Sequence, residues 1–478
     1  MKVSGMHQFG PRCGGAPGKC FMRLKAVQLY EMEELAEWVV EPNCCSFPSL
    51  EEIKCIDCPN LRVMPFSEVC CTNLRILQVS GCPKMSLPSM PHTSTLTDFD
   101  VERRDSEKLS YDGKKFVVRG YVGALAFHNL DKVEYMTVDR CDGLFPEVLD
   151  SSSVFRSVKS LKLDVSHLTS KSSSEVLKCF PALSVLKIVG NEECVMQFPS
   201  SSSLQKLTLK NCEGLVLVPV EKENGGGIQE DKSLLQSLTI EDGGKLLCRW
   251  PMGLGESETI CPFPASLREL DVWNERSMKS MALLKNLTSL TTLKLKCGYN
   301  LTVDGFNPLI AVNLIVLVVY NCNTLGADML SEVASQRAKL FPAGYISRLE
   351  VLRVNDICGL LIAPICNLLA PALHTLDFCS LGRMESFVEE QEKALQLLSS
   401  LQKLCFLWCE GLQSLPQGLH RLSSLKELQV IECPKIRWMP KEGLPVSLRK
   451  LEMNCRSAEI DEQIEKIKIT NSDLSVEG

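Results

Sequence analysis

The chain has 478 residues, of which 45% are hydrophobic and 23% charged, with a formal net charge of −6. That apolar content excludes a disordered chain, and the acidic balance argues against a nucleic-acid partner, which calls for a basic surface. No run of about 18 apolar residues occurs, so no membrane span is expected, and residues 1–8 lack the apolar stretch of a secretory signal.

Residues 1–20 form an irregular leader rich in Gly, Pro and Cys. Within it, Gly14-Gly15-Ala16-Pro17-Gly18-Lys19-Cys20 departs from a phosphate-binding loop at both ends: Cys13 replaces the first glycine and Cys20 the hydroxyl residue. From Leu24 a phrase begins to recur: Leu24-x-x-Val27-x-Leu29, then Leu50-x-x-Ile53-x-Cys55, Leu74-x-x-Leu77-x-Val79 and Leu96-x-x-Phe99-x-Val101. Residues 102–129 read as a polar insertion or a decayed repeat. The phrase resumes at Val133 and continues from Val158, Leu183, Leu204, Leu235, Leu267, Leu290, Leu314, Leu349, Leu373, Leu401, Leu425 and Leu448. Residues 221–232 read as a flexible loop on their glycines. Residues 327–340 read as an amphipathic helix with Met329, Leu330, Val333 and Leu340 on its apolar side, and 389–398 as a second helix. The tail, 457–478, is expected to cap the last open edge.

The fullest copy, Leu401-x-x-Leu404-x-Phe406-x-x-Cys409-x-x-Leu412-x-x-Leu415-Pro416, shows the physics. Leu401, Leu404 and Phe406 face inward from a short strand, and the residues between them alternate outward. Cys409 enters the core at the turn, where Asn or Cys is small enough and can hydrogen-bond the backbone. One such unit cannot bury its own apolar edge, so units stack; about seventeen of them over 21–456 make a leucine-rich-repeat domain. The expected fold is α/β: a curved solenoid with a parallel concave sheet and irregular convex loops and short helices.

This period also accounts for cysteine. Cys58, Cys82, Cys141, Cys212, Cys322, Cys409 and Cys433 each fall eight residues after the first apolar anchor of a repeat, and Asn191 takes the same slot. A ladder of small buried side chains explains them without disulfides, and no second ligand pair stands at zinc spacing from Cys55-Ile56-Asp57-Cys58. The sequons at Asn286 and Asn300 lack an export signal and are read as unused. His7, His92, His128, His167, His374 and His420 are scattered, and no G-x-S-x-G elbow is present, so neither catalysis, a cofactor nor a metal is expected.

What remains is a surface made of the outward strand residues. Trp273, Lys294, Lys296, Tyr320, Arg353, Asp377, Leu407, Trp408, Gln429 and Ile431 are its candidate protein-binding positions, with the aromatics foremost because exposed rings bordered by charge make binding hot spots. Val318 belongs to the same outward set, and Leu407 and Trp408 are expected to face outward in the strand.

The phrase resembles the repeat region of plant intracellular nucleotide-binding leucine-rich-repeat disease resistance proteins. The likeness is carried by Cys58-Pro59-Asn60-Leu61, Cys82-Pro83-Lys84-Met85, Cys433-Pro434-Lys435-Ile436, Leu415-Pro416-Gln417-Gly418-Leu419 and Glu442-Gly443-Leu444-Pro445-Val446-Ser447-Leu448, together with Met32-Glu33-Glu34-Leu35-Ala36-Glu37-Trp38. The resemblance implies a cytoplasmic recognition module for a pathogen effector, a host guardee or the receptor's own signalling domains. The family's phosphate loop and second phosphate motif are missing, so its nucleotide switch is not carried over. A truncated receptor, a partial gene model or a stand-alone decoy or regulator is expected. The alternative is a substrate-recruiting leucine-rich-repeat subunit of an F-box ubiquitin ligase, for which about 40 helical residues would have to precede Leu24.

Overall fold

The strands are short because the sequence alternates over only five residues before it turns. In Lys403–Leu407, Leu404, Phe406 and the outward Cys405 are buried, while Lys403 and Leu407 at the ends are half-buried. A computed structural model describes residues 7–9, 22–38, 47–64, 73–85, 95–104, 107–121, 132–141, 155–165, 173–197, 203–218, 233–248, 261–341, 345–380, 384–454, 457–471 and 473–477. The rest of the leader and the loop expected at 221–232 lie outside the described residues. The chain divides into two compact units, Met1–Leu215 and Val216–Gly478.

In the first unit, Gln8–Phe9 (β1) pairs in parallel with Glu37–Trp38 (β3). The main sheet holds β2 (Ala26–Tyr30), β4 (Glu52–Ile56), β5 (Ile76–Ser80), β6 (Asp98–Arg104), β7 (Glu107–Tyr111), β8 (Lys115–Arg119), β9 (Tyr135–Asp139), β10 (Ser160–Asp164), β11 (Val185–Val189) and β13 (Lys206–Lys210). Each pairs with the next, all in parallel except at β7, which runs antiparallel to both β6 and β8. Helix α1 (Ser173–Lys178) and strand β12 (Cys194–Gln197) lie off this sheet, and β14 (Leu215–Val218) crosses the division between units.

The antiparallel excursion corrects the reading of 102–129. Its first part is no polar insertion but a hairpin that adds strands to the sheet, burying Leu109, Tyr111, Phe116 and Val118. The signal was present in Asp112-Gly113: Gly113 takes φ +90°, and the Asp112 carboxylate accepts from the Lys114 and Lys115 N–H groups at 3.1 and 2.7 Å. Asp-Gly between alternating apolar runs is the strongest short-range hairpin mark.

The second unit carries an uninterrupted parallel sheet: β15 (Ser237–Glu241), β16 (Glu269–Trp273), β17 (Thr292–Lys296), β18 (Val316–Tyr320), β19 (Val351–Val354), β20 (Thr375–Cys379), β21 (Lys403–Leu407), β22 (Glu427–Ile431), β23 (Lys450–Met453) and β24 (Ser475–Glu477). Registers are unshifted, so equivalent repeat positions stand side by side. Between strands lie α2 (Leu325–Leu340), α3 (Ile357–Leu360), α4 (Ala363–Leu369), α5 (Glu389–Gln396) and α6 (Ala458–Thr470). This is a leucine-rich-repeat solenoid of the α/β class. Each inward Leu or Phe contributes about 1.5–3 kcal/mol by leaving water, and only stacking supplies the neighbour that lets it do so.

Most repeats turn through one left-handed residue directly after the strand; Val165 after β10, Asn355 after β19 and Asn454 after β23 are not left-handed. Asp57, Asn211, Asp242, Asn274, Asn321, Ser380, Trp408 and Glu432 all hold φ between +48° and +57°. Its N–H donates one rung beyond the strand, to the carbonyl that ends the next strand: Asn274 to Lys296 at 2.9 Å, Ser380 to Leu407 at 2.8 Å, Trp408 to Ile431 at 2.9 Å. The following residue then drops inward. When it is cysteine, its thiol reaches a carbonyl of the preceding strand: Cys322 to Leu295 at 3.4 Å, Cys409 to Phe378 at 3.8 Å, Cys433 to Phe406 at 3.5 Å. Burial pushes the Cys322 thiol up to about 11 and Cys212 up to about 12, so these groups stay protonated donors. All described cysteines are free thiols.

Two details differ from expectation. Asn191 is exposed rather than in the ladder, because Gly190 at φ +130° sends the chain outward and Cys194 is buried instead. Leu340 is 41% exposed, since α2 ends there and Phe341 fills the core place. Met329, Leu330 and Val333 are buried as their spacing requires.

Glu275 occupies the cysteine slot in the repeat that starts at Leu267, and it is buried. Its Oε1 accepts from the Ser277 N–H at 3.0 Å and from the Ser277 hydroxyl, while Oε2 has no hydrogen-bond partner among the described residues. Glycine stands in the same slot of the preceding repeat, where a Cβ on Gly243 would collide with this carboxylate. Burial pushes the Glu275 carboxyl above its ordinary 4.5, against the Ser277 hydrogen bonds. The folded state therefore holds this proton to higher pH than the unfolded chain does. The cost of burying the charge is absent below the unfolded value and fully present above the folded one. Glu275→Gln should raise unfolding stability at pH 7, and the gain should shrink as pH falls toward 4.5. Urea melts of both proteins across that range check this; a pH-independent difference would refute it.

Candidate protein-binding surface

The unshifted register sets the outward residues of the second unit in three rows. The middle row runs Asp271, Lys294, Val318, Arg353, Asp377, Cys405, Gln429, Glu452 across β16 to β23. The row at the strand ends holds Trp273, Lys296 and Tyr320, then Cys379, Leu407 and Ile431. All ten candidate positions therefore come from neighbouring repeats of one sheet or from its border.

Charge on this face is paired locally. Lys296 Nζ lies 3.1 Å and Lys294 Nζ 4.0 Å from the Asp271 carboxylate. Lys403 meets Glu427 at 3.1 Å. The Gln429 amide donates to Glu427 at 3.0 Å and to Glu452 at 2.8 Å, and its oxygen accepts from the Cys405 thiol at 3.1 Å. Such half-exposed pairs add little stability, but they border the half-buried apolar side chains Tyr320, Leu407 and Ile431. The Tyr320 hydroxyl lies 3.3 Å from Ser380 Oγ.

The Arg353–Asp377 pair is different. Arg353 gives Nε and Nη2 to one Asp377 oxygen at 3.0 and 2.7 Å, and the Asp377 side chain is only 5% exposed against 45% for Arg353. Asp377 is thus covered, and Arg353 is the member of the pair that the face exposes. Val318 is likewise buried between its row neighbours.

Trp408 also departs from expectation. Strand β21 ends at Leu407, and Trp408 is the left-handed turn residue beyond it, with its side chain half exposed. Asn, Asp and Gly tolerate that conformation; a bulky side chain there is an outlier costing roughly 1–2 kcal/mol. Trp273, by contrast, stands in β16 as expected and is 42% exposed. Tyr299, more exposed than either at 58%, was missed because it lies in a turn outside the strand alternation.

The first unit's outward face has another character. Gln28 bonds Glu52 at 2.7 Å, Lys54 meets Glu52 at 3.0 Å, Lys108 meets Asp100 at 3.0 Å and Arg119 meets Asp139 at 2.9 Å, so polar pairs recur along it. Among the described residues no three His, Cys, Asp or Glu side chains are placed to hold a metal, and no helix is long and apolar enough to cross a membrane.

No family model matches the chain, and no curated protein does. Among solved structures it is similar to a leucine-rich-repeat protein of Leptospira interrogans, at 14% identity over 92% of this chain and 93% of that one, with a TM-score of 0.40. The assignment of the fold rests on the strand register and the recurring turn described above.

Removing one partner of the central pair should expose its role. Arg353→Leu strands the Asp377 carboxylate in the sheet and should destabilise the second unit by about 2 kcal/mol, whereas Arg353→Leu with Asp377→Leu should recover most of that loss. Chemical denaturation of the single and double variants measures the coupling; additive losses would contradict it.

Proposed function

We propose that this chain is a protein-recognition module and that its partner binds the outward face of β16 to β22 with its bordering aromatics. The carrying observation is the grouping of Trp273, Tyr320, Leu407, Ile431 and Trp408 around a clamped arginine, Arg353, within frames of paired charge. Rigid rings and a preorganised guanidinium are the side chains on which protein interfaces concentrate their energy. None of them is required by the repeat.

The resemblance of the repeats to plant resistance receptors supports a narrower reading. The module senses a pathogen effector or a guarded host protein in the cytoplasm, or acts on a nucleotide-binding switch domain. Its role is binding rather than catalysis, and no cofactor enters it.

Trp273→Ala, Tyr320→Ala and Trp408→Ala combined should remove partner binding by at least about 2 kcal/mol, roughly thirtyfold in Kd, with the far-UV spectrum unchanged. Quantitative affinity capture from plant cytosol with wild type, this variant and a control at Lys159→Ala on the first unit measures it. Identical sets of retained proteins for all three would refute the placement.

A further inference from the structure

The opposite edge of the sheet, where the chain enters β20 to β23, carries a groove of about 430 Å³ with a chemistry of its own. Five of its nine lining residues are serine, His374, Lys426 and Arg449 line it too, and none is a carboxylate. It arises from the repeat itself. Thr375, Lys403, Glu427 and Lys450 are in register, so the residues just before them, His374, Gln402, Lys426 and Arg449, form a row with one strand spacing, about 4.8 Å, between neighbours. The paired serines of Leu398-Ser399-Ser400-Leu401 and Leu422-Ser423-Ser424-Leu425 form the wall beside it.

Several donors in this groove are unspent. The Ser400 and Ser447 hydroxyls are used on Pro371 and Leu425 carbonyls at 3.2 and 2.8 Å. The hydroxyls of Ser399, Ser423 and Ser424 have no hydrogen-bond partner among the described residues. Among the described residues, Lys426 Nζ reaches only the neutral Gln402 oxygen, at 3.4 Å. Arg449 Nη1 donates to the Val446 carbonyl at 3.4 Å and reaches Asp473 at 3.8 Å. The Arg449 and Asp473 side chains are both more than half exposed, so the ion pair holds the guanidinium weakly and its other nitrogens are left to a ligand. Two cations on adjacent strands repel each other, and an anion lodged between them turns that repulsion into attraction. A tetrahedral phosphoryl group has enough acceptor oxygens for a guanidinium fork, an ammonium and two hydroxyls at once.

We propose that this groove binds a phosphoryl group, as free phosphate or on a phosphorylated protein side chain, with Lys426 and Arg449 clasping it and Ser423 and Ser424 donating hydroxyls. The site is separate from the aromatic face and stands or falls independently of it. Calorimetric titration of the full chain at low ionic strength tests it with three probes: inorganic phosphate, the peptide Gly-Gly-phosphoserine-Gly-Gly, and the same peptide unphosphorylated. Both phosphoryl probes should bind and the serine peptide should not. Tighter binding of the phosphopeptide than of phosphate identifies a protein source, and equal binding the free ion. Lys426→Ala with Arg449→Ala should weaken binding at least about tenfold, while Lys426→Arg retains it. Should the double variant misfold, Lys426→Gln alone, at an exposed position, carries the comparison. Absence of binding by both phosphoryl probes, or undiminished binding by the folded variants, would overturn the proposal.

Discussion

One backbone feature recurs through most of the repeats: the residue after the strand turns left-handed, its N–H continues the ladder onto the next strand, and the chain swings its next side chain into the core. The bonds from Asn274, Ser380 and Trp408 to the carbonyls of the following repeat are the same rung repeated. The thiols of Cys322, Cys409 and Cys433 bind backward to the preceding strand from the next position. Where both occur, the two rungs tie a repeat to both its neighbours. Cohesion in such a chain is a sum over nearest-neighbour contacts, so local changes at these two positions act on one repeat junction at a time.

This recurring turn explains why the interior was legible in the sequence and the border was not. Leu401, Leu404, Phe406 and Cys409 recur at fixed spacing because burial and a single hydrogen bond demand them. The excursion through β7 and β8 was obscured because its Asp112-Gly113 turn lies inside a charged stretch, although the alternation of Leu109 with Tyr111 and of Phe116 with Val118 was present. Asn191 misled because identity at a slot does not ensure the backbone path: Gly190 takes the chain out before the slot is reached. Glu275 was invisible as a ladder residue because only the glycine at 243, in the neighbouring repeat, makes room for it.

The candidate face was partly legible. Period two correctly set Trp273, Lys294, Lys296, Tyr320, Arg353, Leu407, Gln429 and Ile431 on one side. It could not show that Asp377 would sit buried and paired with Arg353 or that Cys405 would be covered, since those depend on the length of neighbouring side chains. Nor could it distinguish the last strand residue from the turn, and so Trp408 was assigned to the strand. Its actual position is more informative, because a left-handed tryptophan carries a conformational cost that an Asn or Gly in its place would avoid. Strain held in this way at a bordering aromatic fits a side chain retained for contact rather than for folding.

The most direct test of this account is Trp408→Asn, followed by urea denaturation and by partner capture on the same preparation. Relief of the left-handed conformation should raise the stability of the second unit by about 1 kcal/mol while partner retention falls. A loss of stability would mean that Trp408 is held by its packing, and with unchanged partner retention would contradict the assignment of function to this face.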